Sequence, residues 1–157
     1  MRRKDREISD INESLEILDK CKVCRIGLSD NNMPYIVPLN YGYTWENDRL
    51  TLYFHSALEG KKIDILKNNK RACFEIDTDH RLIEGVIACK YGYSYSSIMG
   101  FGNIEFINDN EEKTRCLNIL MKHQTGQDTL HAYSDEALAG IVVYKLVAED
   151  FSCKKRK

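Results

Sequence analysis

The residues of this sequence whose types and spacing could do chemistry are concentrated in the segment Leu52–Leu66, which reads LYFHSALEGKKIDIL. Its apolar residues change from alternate spacing to helical spacing, which predicts a strand leading into a helix. Ser56 and Glu59 have the spacing of a capping box, in which each side chain satisfies a free amide at the helix start. Lys61 and Lys62 follow. A helix N-terminus with a hydroxyl and two ammonium groups predicts a phosphate site, and a capped helix with two solvated lysines is the alternative.

The composition indicates one soluble domain. The chain has 157 residues, of which 43% are hydrophobic, and a net charge of −1. This length supports one core, so we predict a single domain over residues 1–157 with flexible ends at residues 1–8 and 153–157. No basic field favours nucleic acid, and no run of about 18 apolar residues predicts a membrane span. The charged start lacks a secretory signal core, so we expect a cytoplasmic protein without nucleic-acid or membrane partners.

The six cysteines of the chain should remain reduced in that compartment. Cys21 and Cys24 have the spacing of a metal-ligand or redox pair. No second pair completes a zinc site, and the sequence that follows is typical of a strand, not of the helix that follows a thioredoxin motif. We predict a structural role for this pair and no metal site, with metal binding or redox sensing as the alternative.

The remaining patterns predict about seven strands and three helices. One helix is capped by Ser9 or Asp10, one contains Lys61 and Lys62, and one follows Asn108. The strands are predicted at Cys21–Ser29, Pro34–Trp45, Leu50–His55, Arg71–Asp77, Ile83–Tyr93, Ser96–Ile107 and Ile141–Ala148. Tight Asn/Asp turns between the first three strands indicate an antiparallel meander. Hairpin-joined strands with inserted helices predict a mainly β fold, a closed antiparallel barrel with helices.

A proline and an asparagine interrupt the second predicted strand. Pro38 cannot donate to a strand ladder, so it belongs at a sheet edge, a bulge or a barrel corner. Asn40 lies on the same face two residues later, where its amide needs a partner. Asn40 therefore either satisfies the irregular backbone beside Pro38 or contacts a ligand.

These segments resemble the pyridoxamine-phosphate-oxidase-like flavin proteins, and more closely their branch related to 5-nitroimidazole resistance proteins. The matching segments are Pro34–Tyr43, Leu52–Leu66, Phe74–His80, Tyr95–Ile107 and Glu111–Gly126, in the family's order. The sequence HSALEGKK is the most specific of them. The resemblance implies an FMN-binding split barrel that forms a homodimer with FMN at the subunit interface.

The resemblance also implies which residues bind the cofactor. Those that would lie along the flavin ring are Val37, Pro38, Leu39 and Asn40. Those that would hold the ribityl phosphate are His55, Ser56, Lys61 and Lys62, and Ser97 would line the site from a nearby strand. One position departs from the family: relatives commonly have Tyr-Arg-Ser where this chain has Tyr95-Ser96-Ser97. The departure removes a permanent cation and a bidentate contact.

The catalytic residue is left open, with His55 as the candidate. His55 could contact the phosphate, donate a proton near bound substrate, or pack on Tyr53 at the end of its strand. The cofactor itself would carry the hard chemistry. We expect substrate choice to depend on Tyr91, Tyr93, Tyr95 and Ser96.

The leading hypothesis is an FMN-dependent oxidoreductase. Reduced flavin would pass electrons to a small electron-poor substrate such as a nitroaromatic, and a nicotinamide or another reductant would reload it. The alternative is a non-catalytic flavin- or haem-binding sensor or carrier, with His80, His123 and His131 as candidate axial ligands. A third hypothesis is a regulator in which the Cys21–Cys24 pair is a thiol sensor and the basic segment Lys154–Lys157 contacts an anionic partner.

Overall fold

The computed structural model describes residues 3–156 as an eight-stranded antiparallel sheet against which four α-helices pack. The strands are β1 (Glu7–Ile8), β2 (Val23–Asp30), β3 (Met33–Asn40), β4 (Gly42–Glu46), β5 (Arg49–Ala57), β6 (Arg71–Ile83), β7 (Gly92–Ile107) and β8 (Ile141–Arg156). The helices are α1 (Ile11–Lys20), α2 (Lys61–Asn68), α3 (Asn110–Thr125) and α4 (Asp135–Ala139). Short 3-10 turns lie at Lys4–Arg6 and Ala88–Lys90. In this described part of the chain, no helix is long and apolar enough to cross a membrane.

The strand order shows that the sheet curls into a split barrel. The order is β3-β2-β6-β7-β8-β5-β4, and β1 pairs with β8. β3 and β4 stand at opposite ends of this order, yet only Tyr41 separates them in the chain. The two ends of the sheet must therefore meet at Tyr41, whose buried hydroxyl donates to Leu18 O at 2.8 Å. This confirms the predicted mainly β, antiparallel split barrel, whereas the closed barrel predicted from the hairpins is wrong, because β3 and β4 do not pair.

Alternate residues of the strands fill the barrel interior. The largest cluster joins β5, β6, β7 and β8 through Phe54, Phe74, Ile98 and Leu146, and receives Leu18 from α1 and Ile63 from α2. A second cluster lies beneath α3 and α4 and includes Tyr53, Leu117 and Leu138. Burial of this apolar surface is the main force that holds the helices against the sheet.

Three of the four helices begin with a side-chain cap. The Asp10 carboxylate accepts from Asn12 N at 2.9 Å, and the Asp109 carboxylate accepts from Glu112 N at 2.8 Å. The Ser134 hydroxyl accepts from Ala137 N at 3.2 Å at the start of α4. Each cap satisfies an amide that has no partner within its helix. Of the predicted caps Ser9 and Asp10, Asp10 caps α1, and Asp109 caps α3 within the segment predicted to start that helix.

Helix α2 is the exception, and the capping box predicted from Ser56 and Glu59 is wrong. β5 continues to Ala57, so Ser56 lies within the strand. α2 begins only at Lys61, after Gly60, which has a φ of 136° and makes no side-chain cap. The alternating pattern of β5 extends further than expected, because Ser56 turns into the interior beside Phe54.

Two predicted strands need correction. The segment Pro34–Trp45 is two strands, because the buried Tyr41 redirects the chain from β3 to β4. The strand predicted at Ile83–Tyr93 is wrong, since this segment is mainly the connection between β6 and β7. A Cβ on Gly85 would lie 2.5 Å from the Lys90 carbonyl carbon, so the connection folds back tightly on itself. Its apolar residue Val86 is exposed, so the pattern does not report burial.

The chain ends also differ from expectation. β8 continues past the predicted end at Ala148 to Arg156, which pairs with Tyr95 of β7. Strand β1 pairs with the same end of β8, with Glu7 opposite Lys154. Residues 7–8 and 153–156 are therefore paired strands where flexible ends were predicted, whereas residues 1, 2 and 157 lie outside the described residues.

Candidate functional site

The start of α2 offers cations and unsatisfied amides to open space. The Lys61 ammonium lies 5.1 Å from the centre of the Tyr35 ring and 3.6 Å from Asp30 Oδ2, which connects α2 to the β2–β3 hairpin. Lys62 follows and is half-buried. A Cβ on Gly60 would meet no atom within 4 Å. Because no side chain caps the helix, its first amides remain available to an anion.

His55 and Ser56 face opposite sides of β5, because successive residues of a strand alternate. His55 is on the exposed side. Partial burial of the ring lowers the pKa of His55, and the positive charge of nearby Lys62 lowers it further. His55 is therefore a neutral imidazole at pH 7, able to donate or accept a hydrogen bond. Ser56 is buried, and its hydroxyl donates to Ala57 O at 3.0 Å.

A buried hydroxyl without a partner lies next to Ser56. Among residues 3–156, Tyr144 Oη is buried and has no hydrogen-bond partner. Tyr144 pairs with Phe54 across β8 and β5, which places it diagonally beside Ser56 on the inner face. Burial raises the pKa of Tyr144; the Ser56 hydroxyl opposes this rise, although the two groups do not reach hydrogen-bond geometry. A Ser56 hydroxyl that turned its proton toward an anion could accept from Tyr144, so this arrangement fits a phosphate.

The four residues predicted to follow the flavin ring form the second half of β3. Val37 and Leu39 face inward and pack on the core, whereas Pro38 and Asn40 are exposed. Pro38 lies on a terminal strand of the sheet order, which confirms the edge position expected for it. Asn40 Nδ2 donates to Lys22 O at 3.0 Å and to Gln124 Oε1 at 3.1 Å. The Asn40 amide nitrogen thus ties β3 to Lys22 and to α3, and not to the backbone beside Pro38 as the structural alternative expected.

Lys61 of α2 contacts the same strand, β3, that contains Val37–Asn40. Lys61 contacts Tyr35, and Asn40 stands five residues further along β3. Five residue steps of a strand span about 17 Å. An anion held at α2 and a planar group along Val37–Asn40 would therefore lie at opposite ends of a single extended site.

Ser97 lies far from His55 within one chain. His55 pairs with Val143 near the start of β8, whereas Ser97 pairs with Lys154 near its end. These two positions on β8 are 11 residues apart, which is about 36 Å along a strand. Ser97 faces outward from β7, far from His55, and the register places it on the same outer face as Asn40, three strands away.

The departure at Ser96 serves a structural purpose. Ser96 is 1% exposed, and its hydroxyl donates to Asp79 Oδ2 at 2.8 Å. This bond is the main cause that lowers the pKa of Asp79, a residue held at a φ of 61° in a bulge of β6. The pair borders a cavity of about 590 Å³ whose cationic lining residues are Lys20, Arg81, Lys155 and Arg156. Ser96 therefore faces the buried side of β7, and Ser97 faces the outer side.

Of the thiols and histidines singled out from the sequence, Cys21, Cys24, His80 and His123 are engaged in packing or local bonds, whereas His131 is exposed. Cys24 is fully buried in the core, and burial raises the pKa of its thiol, which makes it a poor nucleophile. Cys21 Sγ donates to Asp77 O. His80 Nε2 lies 2.6 Å from Asp77 Oδ2, and His123 Nε2 donates to Cys21 O at 2.8 Å. Both thiols of the Cys21–Cys24 pair are buried, which a structural role requires; that role stays a prediction.

Three residues of the site were not found from the sequence. Tyr35 was identifiable in principle, because it shares the inner face of β3 with Val37 and Leu39. Gln124 lies in a segment that resembles the family, but its spacing gives no sign that it bonds Asn40. Tyr144 has the pattern of an ordinary core residue, and only the fold shows its unpaired hydroxyl.

Comparison with known proteins identifies the family. The family profile described as pyridoxamine 5'-phosphate oxidase matches residues 10–155. A proposed 5-nitroimidazole antibiotic resistance protein from Bacteroides thetaiotaomicron has 35% sequence identity, with 95% of this chain and 86% of that chain covered and a TM-score of 0.81. No curated protein sequence matches the chain.

Two further structures share the fold at low identity. An FAD- and haem-binding protein from Mycobacterium smegmatis has 17% identity and a TM-score of 0.83, with 97% of this chain and 74% of that chain covered. An FAD-binding protein from Mesorhizobium loti has 24% identity and a TM-score of 0.68, with coverage of 97% and 98%. The profile match spans most of the chain and agrees with the split-barrel topology, so this protein belongs to the pyridoxamine 5'-phosphate oxidase family.

Proposed function

We propose that the protein is an FMN-dependent oxidoreductase that reduces small electron-poor compounds, including nitroaromatics. The observation that carries this proposal is the uncapped start of α2, with Lys61 and Lys62, at one end of β3. Family membership supports it, as do the flavin binding of two structural relatives and the nitroimidazole resistance for which a third is named.

The cationic end of the site favours FMN over FAD. A phosphate monoester carries nearly two negative charges at neutral pH because its second pKa is about 6. In the diphosphate of FAD each phosphate carries only one negative charge, so the charge is spread over two groups. Two ammonium groups and a free helix N-terminus compensate the dianion better.

The chain's own residues would bind and orient the cofactor. Lys61, Lys62 and the first amides of α2 would hold the phosphate, and Ser56, backed by Tyr144, would donate to it. The β3 backbone at Val37–Asn40 would lie along the ring, and neutral His55, near Lys62, would donate a hydrogen bond to the phosphate. A bound flavin supplies the electron transfer. Conversion of a nitro group to a nitroso group takes up two electrons and two protons and releases one water, and a nicotinamide is the proposed electron source.

Titration of the flavin-free protein with FMN tests this proposal. We expect a saturable change in flavin fluorescence, tighter binding of FMN than of FAD or riboflavin, and nicotinamide oxidation that depends on an added nitroaromatic. A protein that is colourless and leaves FMN fluorescence unchanged would refute flavin binding. Tight FMN binding without turnover would instead support the non-catalytic flavin sensor or carrier. We place this activity in the cytoplasm, which suits a chain with six free cysteines.

We further propose a homodimer with FMN at the subunit interface. The outer face of β3, β2, β6 and β7 carries an apolar surface, which we call the sheet face, formed by Val23, Ile36, Met99 and Phe101. Ile36 is 67% exposed and Phe101 is 51% exposed, and the register aligns them in one row through Gly27 and Cys73. The ion pairs of Arg25 with Glu75 and Asp77 lie beside this row on the same face, between it and Val23. An exposed apolar row with paired charges beside it is typical of an interaction site. Ser97 lies on the same outer face, so in a dimer it would border the interface at which we propose that FMN binds.

Substitution of Phe101 by glutamate is expected to convert the dimer to a monomer. A buried carboxylate without a partner would oppose burial of the sheet face. Light scattering after size-exclusion chromatography measures the mass, and FMN titration of the same sample should show weaker binding. Leu130→Glu, on an exposed loop residue away from the sheet face, is the matched control and should remain dimeric. A wild-type monomer, or a Phe101→Glu dimer, would contradict the proposal.

A further inference from the structure

A second cavity lies between the end of α1, strand β4 and the end of α3. It has a volume of about 570 Å³, within the range of small-molecule sites. Tyr43, Trp45 and His123 present aromatic rings to it, and Ile119 lines it as well. We propose that this cavity binds a planar, electron-poor aromatic molecule and, resting on the proposed function, that it is the substrate site of the flavin enzyme.

The aromatic walls are fixed in place. The Tyr43 ring meets the His123 ring edge-on, with centres 5.4 Å apart, and the Tyr43 hydroxyl donates to Asp19 Oδ1 at 2.6 Å. His123 is packed on Tyr41 with ring centres 4.6 Å apart. Trp45 lies two residues beyond Tyr43 on the same face of β4, where its ring meets Phe151 edge-on. Rigid aromatic surfaces bind flat rings with little loss of side-chain freedom.

Two cations and one anion line the cavity: Lys22, Lys122 and Asp19. The Asp19 carboxylate accepts from the Tyr43 hydroxyl, and Lys22 Nζ donates to the backbone carbonyls of Asp19 and His123. Lys122 Nζ is 2.9 Å from Asp128 Oδ1, but both side chains are mainly exposed, so this ion pair is weak and can yield to a ligand. Burial lowers the pKa of His123, which keeps its ring neutral at pH 7. A ligand with a flat ring and an oxygen-rich group therefore matches both the walls and the lysines.

The cavity is joined directly to the strand proposed to carry the flavin ring. Asn40 donates to Lys22 O, which belongs to a cavity residue, and to Gln124 Oε1. Gln124 Nε2 in turn donates to Tyr41 O at 2.8 Å, between β3 and β4. These bonds fix the cavity against the Asn40 end of β3, the end away from the proposed phosphate. A ligand held there would lie beside the ring and not beside the phosphate.

The single tryptophan makes the proposal testable without flavin. Trp45 is the only tryptophan in the chain, so its fluorescence reports on the cavity wall. We expect a 5-nitroimidazole or para-nitrobenzoate to quench flavin-free protein saturably. Tyr43→Leu should weaken both probes at least tenfold, whereas Leu130→Ala, which shortens an exposed loop side chain outside the cavity, should leave them unchanged. Titration of free N-acetyltryptophanamide with the same probes corrects for light absorbed by the probe and for collisional quenching.

A second variant keeps the test decisive if Tyr43→Leu does not fold. Lys122→Glu changes an exposed side chain and should weaken the anionic para-nitrobenzoate about fivefold or more, and the neutral nitroimidazole less. Linear quenching equal to that of the free tryptophan derivative would overturn the proposal, as would equal affinities in Tyr43→Leu and Leu130→Ala. Saturable quenching in a protein that never binds flavin would support the cavity site and refute the proposed oxidoreductase. Flavin binding without saturable quenching would refute the cavity site and leave the proposed oxidoreductase supported.

Discussion

The double substitution Lys61→Gln/Lys62→Gln is expected to weaken FMN binding about 100-fold and to leave riboflavin binding unchanged. Hydrogen bonds to charged groups contribute about 1.5–3 kcal/mol each. Because Lys61 is exposed, we expect the two lysine contacts together to contribute near the low end of this range. A sum of about 2.8 kcal/mol corresponds to a 100-fold change in the dissociation constant. Riboflavin has no phosphate, so it retains every contact to β3. The ratio of the two dissociation constants, from fluorescence titration, isolates the phosphate contacts.

The matched control is Lys67→Gln/Lys70→Gln, which removes the same charge at the opposite end of α2. It should change FMN affinity less than about twofold at physiological salt, because separated exposed charges are screened. If the control weakens FMN as much as the Lys61/Lys62 variant, general electrostatics and not a phosphate site explains the loss. Equal losses for FMN and riboflavin would place the damage in the fold of α2.

Gly42→Ala is expected to destabilise the protein by about 2 kcal/mol, because overpacking a well-packed contact typically costs 1–3 kcal/mol. A Cβ on Gly42 would lie 2.6 Å from Leu120 Cα and 2.7 Å from Leu120 N. Both atoms belong to the backbone of α3, so the helix itself must move away from β4. For a chain of this length, the midpoint temperature should fall by about 4–8 °C in a thermal melt. Displacement of α3 would also shift Gln124 and His123, so Trp45 fluorescence should change in the native state.

Gly140→Ala is the control for this substitution. The nearest atom to its Cβ would be Ala137 O at 3.5 Å, an ordinary contact, and its φ of −78° suits any residue. Its melting temperature should stay within about 2 °C of wild type, since substitutions away from tight contacts usually change stability by less than about 0.5 kcal/mol. A Gly42→Ala protein as stable as this control would show that α3 adjusts freely on β4.

The fold class was predictable from the sequence because tight turns and alternating apolar residues are local signals. The capped starts of α1 and α3 followed from Asp10 and Asp109 for the same reason. The break at Tyr41 was not predictable, since the pattern of alternation continues through it and only the curling of the sheet bends the chain there. The capping box at Ser56 failed because a sequence motif cannot show that burial beside Phe54 extends the strand.

The site was predictable only where one segment holds both the residue and its partner. Lys61 and Lys62 stand at the start of α2 as expected. The Asn40–Gln124 bond joins residues 84 positions apart, and the unpaired Tyr144 hydroxyl depends on the register of two strands. The outward direction of Ser97 could be read from alternation, but its separation from His55 along β8 could not.

The position of both prolines has a consequence for solubility. The chain has two prolines, Pro34 and Pro38, and both lie in β3, at one end of the strand order. Each removes a backbone donor from a strand that has β2 on only one side. Strand-by-strand growth into aggregates needs a continuous row of donors and acceptors at such an edge. We therefore expect copies of this protein to associate through side-chain surfaces, while the interrupted edge at β3 discourages amyloid-like extension of the sheet.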